Sequence, residues 1–417
     1  MIKHDPKRVI EDLRNQLAAY DKRLIFLFGA GASSSVNIAN KGKPISKEKK
    51  IHVPLIPGIE GLTEICAKAV KSIGTPQANA WAKLEDQCEQ DNRPANVENI
   101  LSKIRMKIDA IGEGEELLGL NLKQLSEVEE TICAAIGEAV CPTEDKIPEE
   151  IPHDYFAAWI KKANRIVPIE IFTTNYDLLF ERSFEAARVP IFDGFVGTYN
   201  PFFAPECVED DDLRPKAKWI NLWKLHGSVN WHIKESKKGQ QVVRGSPIKS
   251  GEMILPSHRK YDQSRKQPYM AYMDRLTRVM NSEHVLLITC GYNFGDEHIN
   301  AILYGALDYE KTTNIVALRF NNLQRDDEIV KIASQYSNFS VIGPNAGIIS
   351  GTWGEWLLSQ PIDNRTCSFM DIGFDCNAQP EDVSSPAEES SEMKGKIRLG
   401  DFNWFCRFLH EMGGGIH

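Results

Sequence analysis

Two hydrophobic periods alternate along this chain, and the places where one gives way to the other divide it. Residues 5 to 20 carry Val9, Ile10, Leu13, Leu17 and Ala18 at three- and four-residue spacing, which predicts an amphipathic helix packed beside the first strand. That strand is Leu24-Ile-Phe-Leu-Phe28, an unbroken apolar run of the kind a sheet buries on both faces. From 58 to 165 the period is helical throughout, with apolar stripes at 59 to 73, 76 to 91, 94 to 111, 122 to 139 and 154 to 163. Short β-type runs then return at 167 to 173, 189 to 192, 219 to 225, 253 to 255, 284 to 290, 314 to 318 and 339 to 342. Helical stretches at 178 to 188, 269 to 280, 296 to 307 and 327 to 336 separate several of them. The alternation predicts an α/β fold, a Rossmann-like doubly wound parallel sheet with an inserted helical module.

The expected organisation is a discontinuous sheet domain over 1–57 and 166–360, a helical insertion over 58–165, and a C-terminal extension over 361–417. Within the extension, 377–396 is acidic and rich in Pro and Ser, which predicts a disordered linker. The tail beyond it holds Phe402, Trp404, Phe405, Phe408 and Leu409, too apolar to stay in water. It either folds back on its own core or docks onto another chain.

Composition narrows the partners. The 417-residue chain has a formal net charge of −9, so no overall field draws it to nucleic acid or an anionic membrane, and direct nucleic-acid binding is not expected. The basic runs 40 to 50 and 257 to 266 read as surface loops; the first could close over a ligand and the second could meet phosphate, but solvated connectors explain both. No apolar stretch reaches membrane-spanning or signal-peptide length, which predicts a cytoplasmic protein. Nine scattered cysteines without a Cys-x-x-Cys pair predict free thiols and no structural zinc.

Candidate chemistry sits where strands end. Gly29-Ala30-Gly31-Ala-Ser33 follows the first strand and opens a helix; glycines there permit positive φ and leave room for a diphosphate to approach backbone N–H groups. Thr173-Thr174-Asn175-Tyr176-Asp177 follows a later strand, and Asn175 can donate and accept toward sugar hydroxyls or a water while Asp177 can hold an amide or a ribose. Either Thr174 or Asn175 could instead cap the following helix. Leu225-His226-Gly227-Ser228 follows another strand; His226 is able to take a proton near neutral pH, or could be a satisfied core histidine.

These three motifs, in this order on successive strand ends, resemble the sirtuin family. Gly291-Tyr292-Asn-Phe-Gly-Asp296-Glu-His-Ile299 resembles the Gly-Tyr-Ser-Phe-Gly-Asp-x-x-Ile signature of the bacterial sirtuin-like branch found in antiphage defence proteins. The resemblance covers residues 24 to 57 and about 166 to 345. It implies NAD as substrate, with Gly29, Ala30, Gly31 and Ser33 on the diphosphate and Thr174 and Gly227 beside the cofactor. It further implies that Asn175 orders the nicotinamide ribose and the attacking water, that Asp177 holds the nicotinamide side and that His226 is the general base. Gly291, Tyr292 and Asp296 would lie near the diphosphate and adenosine end, Asp296 being equally a helix N-cap.

Two departures shape the expected activity. The Gly-Ile-Pro-Asp-Phe-Arg run of deacylating sirtuins is absent, Val53-Pro-Leu-Ile-Pro57 standing in its place, and the four zinc-binding cysteines are missing. Both favour the defence-type branch, whose members are generally NAD hydrolases, over a protein deacylase; a non-catalytic nucleotide-sensing scaffold is the remaining alternative. A dehydrogenase fingerprint would need a third glycine where Ser34 stands and an acid at the end of a second strand. Neither is present. The resemblance also implies a homo-oligomer that pairs with a HerA-type hexameric ATPase, the aromatic tail being suited to docking.

Overall fold

The computed structural model describes residues 2–39, 52–216, 218–236, 239–247, 267–309, 312–359, 368–376, 378 and 395–414. The expected strand at 253 to 255, the basic runs 40 to 50 and 257 to 266, and nearly all of the acidic linker lie outside the described residues.

The strands of the first half are β1 (Lys3–His4), β2 (Arg23–Phe28), β3 (Glu170–Thr173), β4 (Ile191–Phe192), β5 (Phe195–Val196), β6 (Phe202–Phe203), β7 (Ile220–Lys224), β8 (Trp231–Ser236) and β9 (Gly239–Arg244). Those of the second are β10 (Val285–Cys290), β11 (Asn314–Leu318), β12 (Phe339–Ile342), β13 (Ala346–Ile349), β14 (Thr352–Trp356), β15 (Phe374–Asp375) and β16 (Lys396–Ile397). The main sheet runs β1-β14-β13-β12-β11-β10-β2-β3-β7-β4. It is parallel from β12 to β4, and β13 is antiparallel to both of its neighbours. Strand β2 sits between β10 and β3, with Phe28 level with Cys290 on one side and Thr173 on the other. From β2 the chain builds one half of the sheet through β3 and β7, and the other through β10 and β11. A crevice therefore opens at the carboxyl ends of β2 and β10, where a doubly wound sheet takes its ligand.

Alternation along β2 feeds two cores. Leu24, Phe26 and Phe28 face a layer made by α1 (Pro6–Ala18), while Ile25 and Leu27 enter the opposite core. The short α2 (Ala30–Ser34) follows β2 directly. Helices α3 (Ile59–Ile73), α4 (Thr75–Gln90), α5 (Val97–Ala110) and α6 (Leu122–Val140) share a third core of their own. That core reaches Leu179 and Val229, which places the helices over the carboxyl end of β3 and β7. Helix α6 begins on a capping box in which Asn121 and Gln124 satisfy each other's backbone N–H.

The fifth helix of the inserted stretch behaves differently. Helix α7 (Pro152–Lys162) packs on the sheet, where Phe156, Ala157, Trp159 and Ile160 join the core of β2. With it lie α8 (Leu179–Ala186), α13 (Ser368–Gly373) and α14 (Phe402–Met412); the opposite face is covered by α9 (Pro205–Glu209), α10 (Tyr269–Met280), α11 (Glu297–Tyr309) and α12 (Glu328–Ala333). The aromatic tail thus folds back: Phe402, Phe405, Phe408 and Leu409 of α14 are buried against β2 and α7. These side chains do not form a free docking face.

Burial beneath the tail creates an acid-sensitive contact. His153, in the first turn of α7, has no solvent exposure and packs between Phe180 and Phe402 at ring-centroid distances of 4.6 and 4.9 Å. Neither ring nitrogen meets a partner, and burial holds its pKa down from 6.5 to about 3. Between those values the unfolded chain binds a proton that the folded chain refuses, so stability is complete above about pH 6.5 and declines as pH falls toward 3. At pH 5 the loss is about 2 kcal/mol. His153→Phe should shrink the difference in urea stability between pH 7.5 and pH 5 by about that amount; an undiminished difference would refute this account.

Candidate functional site

A cavity of about 320 Å3 lies at the ends of β2, β3, β7 and β10. Gly29, Ala30, Gly31 and Ser33 reach it from the β2–α2 turn, Thr174, Asn175 and Asp177 from the end of β3, His226 from the end of β7, and Gly291, Tyr292 and Asp296 from the stretch after β10. Gly227 stays outside the lining, where its φ of +92° makes the turn that presents His226. The helical insertion supplies an unforeseen wall, apolar at Leu62, Ile136 and Val140 and polar at Asn96 and Glu98.

The glycines act differently from the sequence expectation. Gly29 has φ of −116°, and neither it nor Gly31 has positive φ; that conformation belongs to Gly291, at +66°. A Cβ on Gly29 would lie 2.6 Å from the Gly291 carbonyl oxygen, and one on Gly31 would lie 2.5 Å from Gly291 Cα. Gly31 donates its N–H to that same carbonyl at 3.0 Å, so this N–H is not free for phosphate. The glycines let the ends of β2 and β10 touch backbone to backbone.

Ser33 is likewise spent within the protein. Its hydroxyl, 2% exposed, donates to Asp177 Oδ2 at 2.5 Å and accepts from Asn175 Nδ2 at 2.7 Å. Asn175 Nδ2 also donates to the Gly29 carbonyl at 3.0 Å. Two acceptors take both amide hydrogens, which fixes the orientation of the amide and leaves Oδ1 as its acceptor. Neither Thr174 nor Asn175 caps the helix after β3. The N-cap is Leu178; Asp177, one residue ahead of it, accepts from Leu179 N on Oδ1 at 3.0 Å, and its carboxylate is engaged on both oxygens.

His226 is held by Asp296. Its Nε2 lies 3.0 Å from Asp296 Oδ2, while Asp296 Oδ1 accepts from the N–H groups of His298 and Ile299 at 3.0 and 3.2 Å as the N-cap of α11. Asp296 therefore sits beside the imidazole and caps the helix as well. With Nε2–H on the carboxylate, Nδ1 carries the ring's lone pair. Tyr292 turns its hydroxyl away to Asn300 Oδ1 at 2.9 Å, and burial pushes its pKa up.

Residues 169–342 match the SIR2-like domain. Three solved structures of a Sir2 homologue bound to ADP-ribose are also similar in fold. They are mutants with histidine to asparagine, phenylalanine to alanine and serine to alanine. Each is 13% identical over 76% of this chain and 86% of that one, with TM-scores of 0.28, 0.29 and 0.27. No curated protein matches the sequence significantly. The SIR2-like stretch carries Asn175, Asp177, His226 and Asp296, whereas the β2–α2 turn, α3 to α6 and the C-terminal tail lie outside it.

Within the SIR2-like stretch, sequence reasoning missed Lys224. It ends β7, is 3% exposed, and directs Nζ at the carbonyls of Tyr176 and Asp177 and at Glu181 Oε1, the last at 3.0 Å. A cation buried under the 174–178 loop holds that loop against the His226 turn, and burial raises the pKa of Glu181 opposite it. The one available signal was a lysine closing an apolar run. The described cysteines are free, and burial pushes the thiols of Cys66 and Cys133 up to about 12 and about 11, which makes them poor nucleophiles. Among the described residues no helix is long and apolar enough to cross a membrane.

Proposed function

We propose that this chain hydrolyses NAD at the nicotinamide–ribose bond, releasing nicotinamide and ADP-ribose. SIR2-like domains occur in NAD-dependent deacylases and in NADases, and the observation that carries the hydrolase reading is that Asn175 and the Asp296-held His226 line one small, partly apolar cavity. The dinucleotide would lie across the Gly31–Gly291 ledge with its nicotinamide ribose facing His226. As the C1′–N bond lengthens, the bonding pair leaves with nicotinamide and positive charge builds on the ribose. Water held by Asn175 Oδ1 bonds to C1′, and His226 Nδ1 takes its proton while Asp296 steadies the imidazolium. The apolar wall from the helical insertion excludes bulk water.

The finer reading is NAD depletion in antiphage defence by a homo-oligomer joined to a HerA-type hexameric ATPase, and it rests on the sequence resemblance at Gly291 to Ile299. The tail's phenylalanines do not support that docking, because Phe402, Phe405 and Phe408 are buried in this chain's own core. Nicotinamide release by the full chain, alone and with the candidate partner, tests the activity. Consumption of NAD without any acyl-lysine peptide is the expected result. Consumption only when such a peptide is present makes the protein a deacylase, and NAD binding without turnover in either state makes it a scaffold.

A further inference from the structure

A cavity of about 310 Å3 lies at the opposite end of the sheet, where β3, β4 and β7 begin, and shares no residue with the one that holds Asn175 and His226. Lys161, Lys162, Arg165, Arg188 and Lys218 line it and no aspartate or glutamate does, on a chain whose net charge is −9. Two of these cations are engaged within the protein. Lys162 Nζ donates to the Gly414 carbonyl at 3.0 Å, and the Arg165 guanidinium donates to the carbonyls of Leu17, Ala19 and Lys22 while its buried Nε meets no partner. The side chains of Lys161, Arg188 and Lys218 are exposed, and none meets a carboxylate among the described residues. Helices α7 and α8 both end at this cavity, but a helix C-terminus carries only about half a negative charge, too little to account for five cations.

The backbone points the same way. Arg188 and Lys218 have φ of +56° and +69°, the left-handed region that favours glycine. Arg188 closes α8 in a Schellman turn, its N–H donating to the Glu185 carbonyl at 3.0 Å and that of Val189 to the Phe184 carbonyl at 2.8 Å, which is the turn position where glycine is usual. At both places a long cationic side chain stands where folding alone favours glycine, and both side chains border the same cavity.

We propose that this cavity binds a compact oligophosphate anion, with Lys161, Arg188 and Lys218 on the phosphate oxygens and Trp219, 37% exposed in the lining, stacking on the base where the phosphates belong to a nucleotide. Several cations without carboxylate partners around one small cavity suit several phosphate charges close together.

Calorimetry of the full chain with inorganic tripolyphosphate tests this. Arg188→Gly and Lys218→Gly should each weaken binding by about tenfold or more, while the melting temperature stays level or rises because glycine relieves the left-handed backbone. Wild type that binds no tripolyphosphate, or wild-type affinity in either glycine variant, overturns the proposal. A lowered melting temperature in both glycine variants also overturns it, since the two cations would then serve the fold. Trp219→Ala separates the sources of the phosphates: weakened ATP with unchanged tripolyphosphate assigns the site to a nucleotide, and unchanged binding of both assigns it to free oligophosphate. A single-stranded oligonucleotide that binds here and resists displacement by tripolyphosphate refutes a compact ligand.

Discussion

Replacing His226 by alanine should lower nicotinamide release from NAD by about 10²–10⁴-fold, the range that loss of a positioned general base produces. The ring is part-buried and rigidly aimed, because the carboxylate that holds Nε2 is itself fixed by two backbone N–H groups of α11. Asn175→Ala acts on the same step by another route. It removes the Oδ1 acceptor and also deprives the Gly29 carbonyl and Ser33 of their shared donor, so its effect on kcat should match or exceed that of His226→Ala. Asp296→Asn separates orientation from proton transfer. The amide oxygen still caps α11, but its NH₂ now donates to Nε2, forces the proton onto Nδ1 and abolishes the base in the wrong tautomer. A loss close to that of His226→Ala is therefore expected, with α11 still capped. Equal rates for wild type, His226→Ala and Asn175→Ala would remove the catalytic assignment altogether.

Much of this arrangement was legible because it is local. Continuous apolar runs identified β2, β10, β11 and β12, and three- to four-residue spacing located α3 to α7 nearly residue for residue, since each signal needs only its own segment. The same local reasoning could not see edge pairing. Strand β1 is two residues long and exists because Lys3 and His4 lie alongside Glu355 and Trp356, more than 350 positions away. The β8–β9 hairpin was missed although Trp231 and Ile233 alternate with polar neighbours; a six-residue strand with much of its surface in water carries a weak signal.

The site shows the same division. Which residues gather at the strand ends followed from strand order, whereas what each side chain does depended on contacts that no spacing encodes. Ser33 reads as a phosphate ligand in the sequence, and nothing in its spacing announces the bridge it makes between Asn175 and Asp177. Asp296 read as a cap or an adenosine contact and is the cap and the partner of His226 at once. The tail offered two outcomes, and burial of four of its apolar side chains against β2 and α7 decides for folding back.

Gly31→Ala should cost about 3 kcal/mol and abolish nicotinamide release, although it adds one methyl group far from His226 in sequence. The added Cβ would meet Gly291 Cα at 2.5 Å, and its three nearest atoms are all Gly291 backbone, so no side chain can swing away. The strand ends must part, which breaks the Gly31 N–H bond to Gly291 and shifts Gly29, whose carbonyl anchors Asn175. Gly291→Ala suffers the same collision, with Ala32 N at 2.6 Å, and adds the strain of φ +66°. Gly305 provides the opposite case. It is exposed on α11, nothing lies within 4 Å of its would-be Cβ, and its φ is not left-handed, so Gly305→Ala should stabilise the chain by about 0.5–1 kcal/mol. Urea unfolding midpoints would then move in opposite directions for one and the same substitution. If Gly31→Ala unfolded at the wild-type midpoint, the close contact at Gly291 would not be what holds the ends of β2 and β10 together.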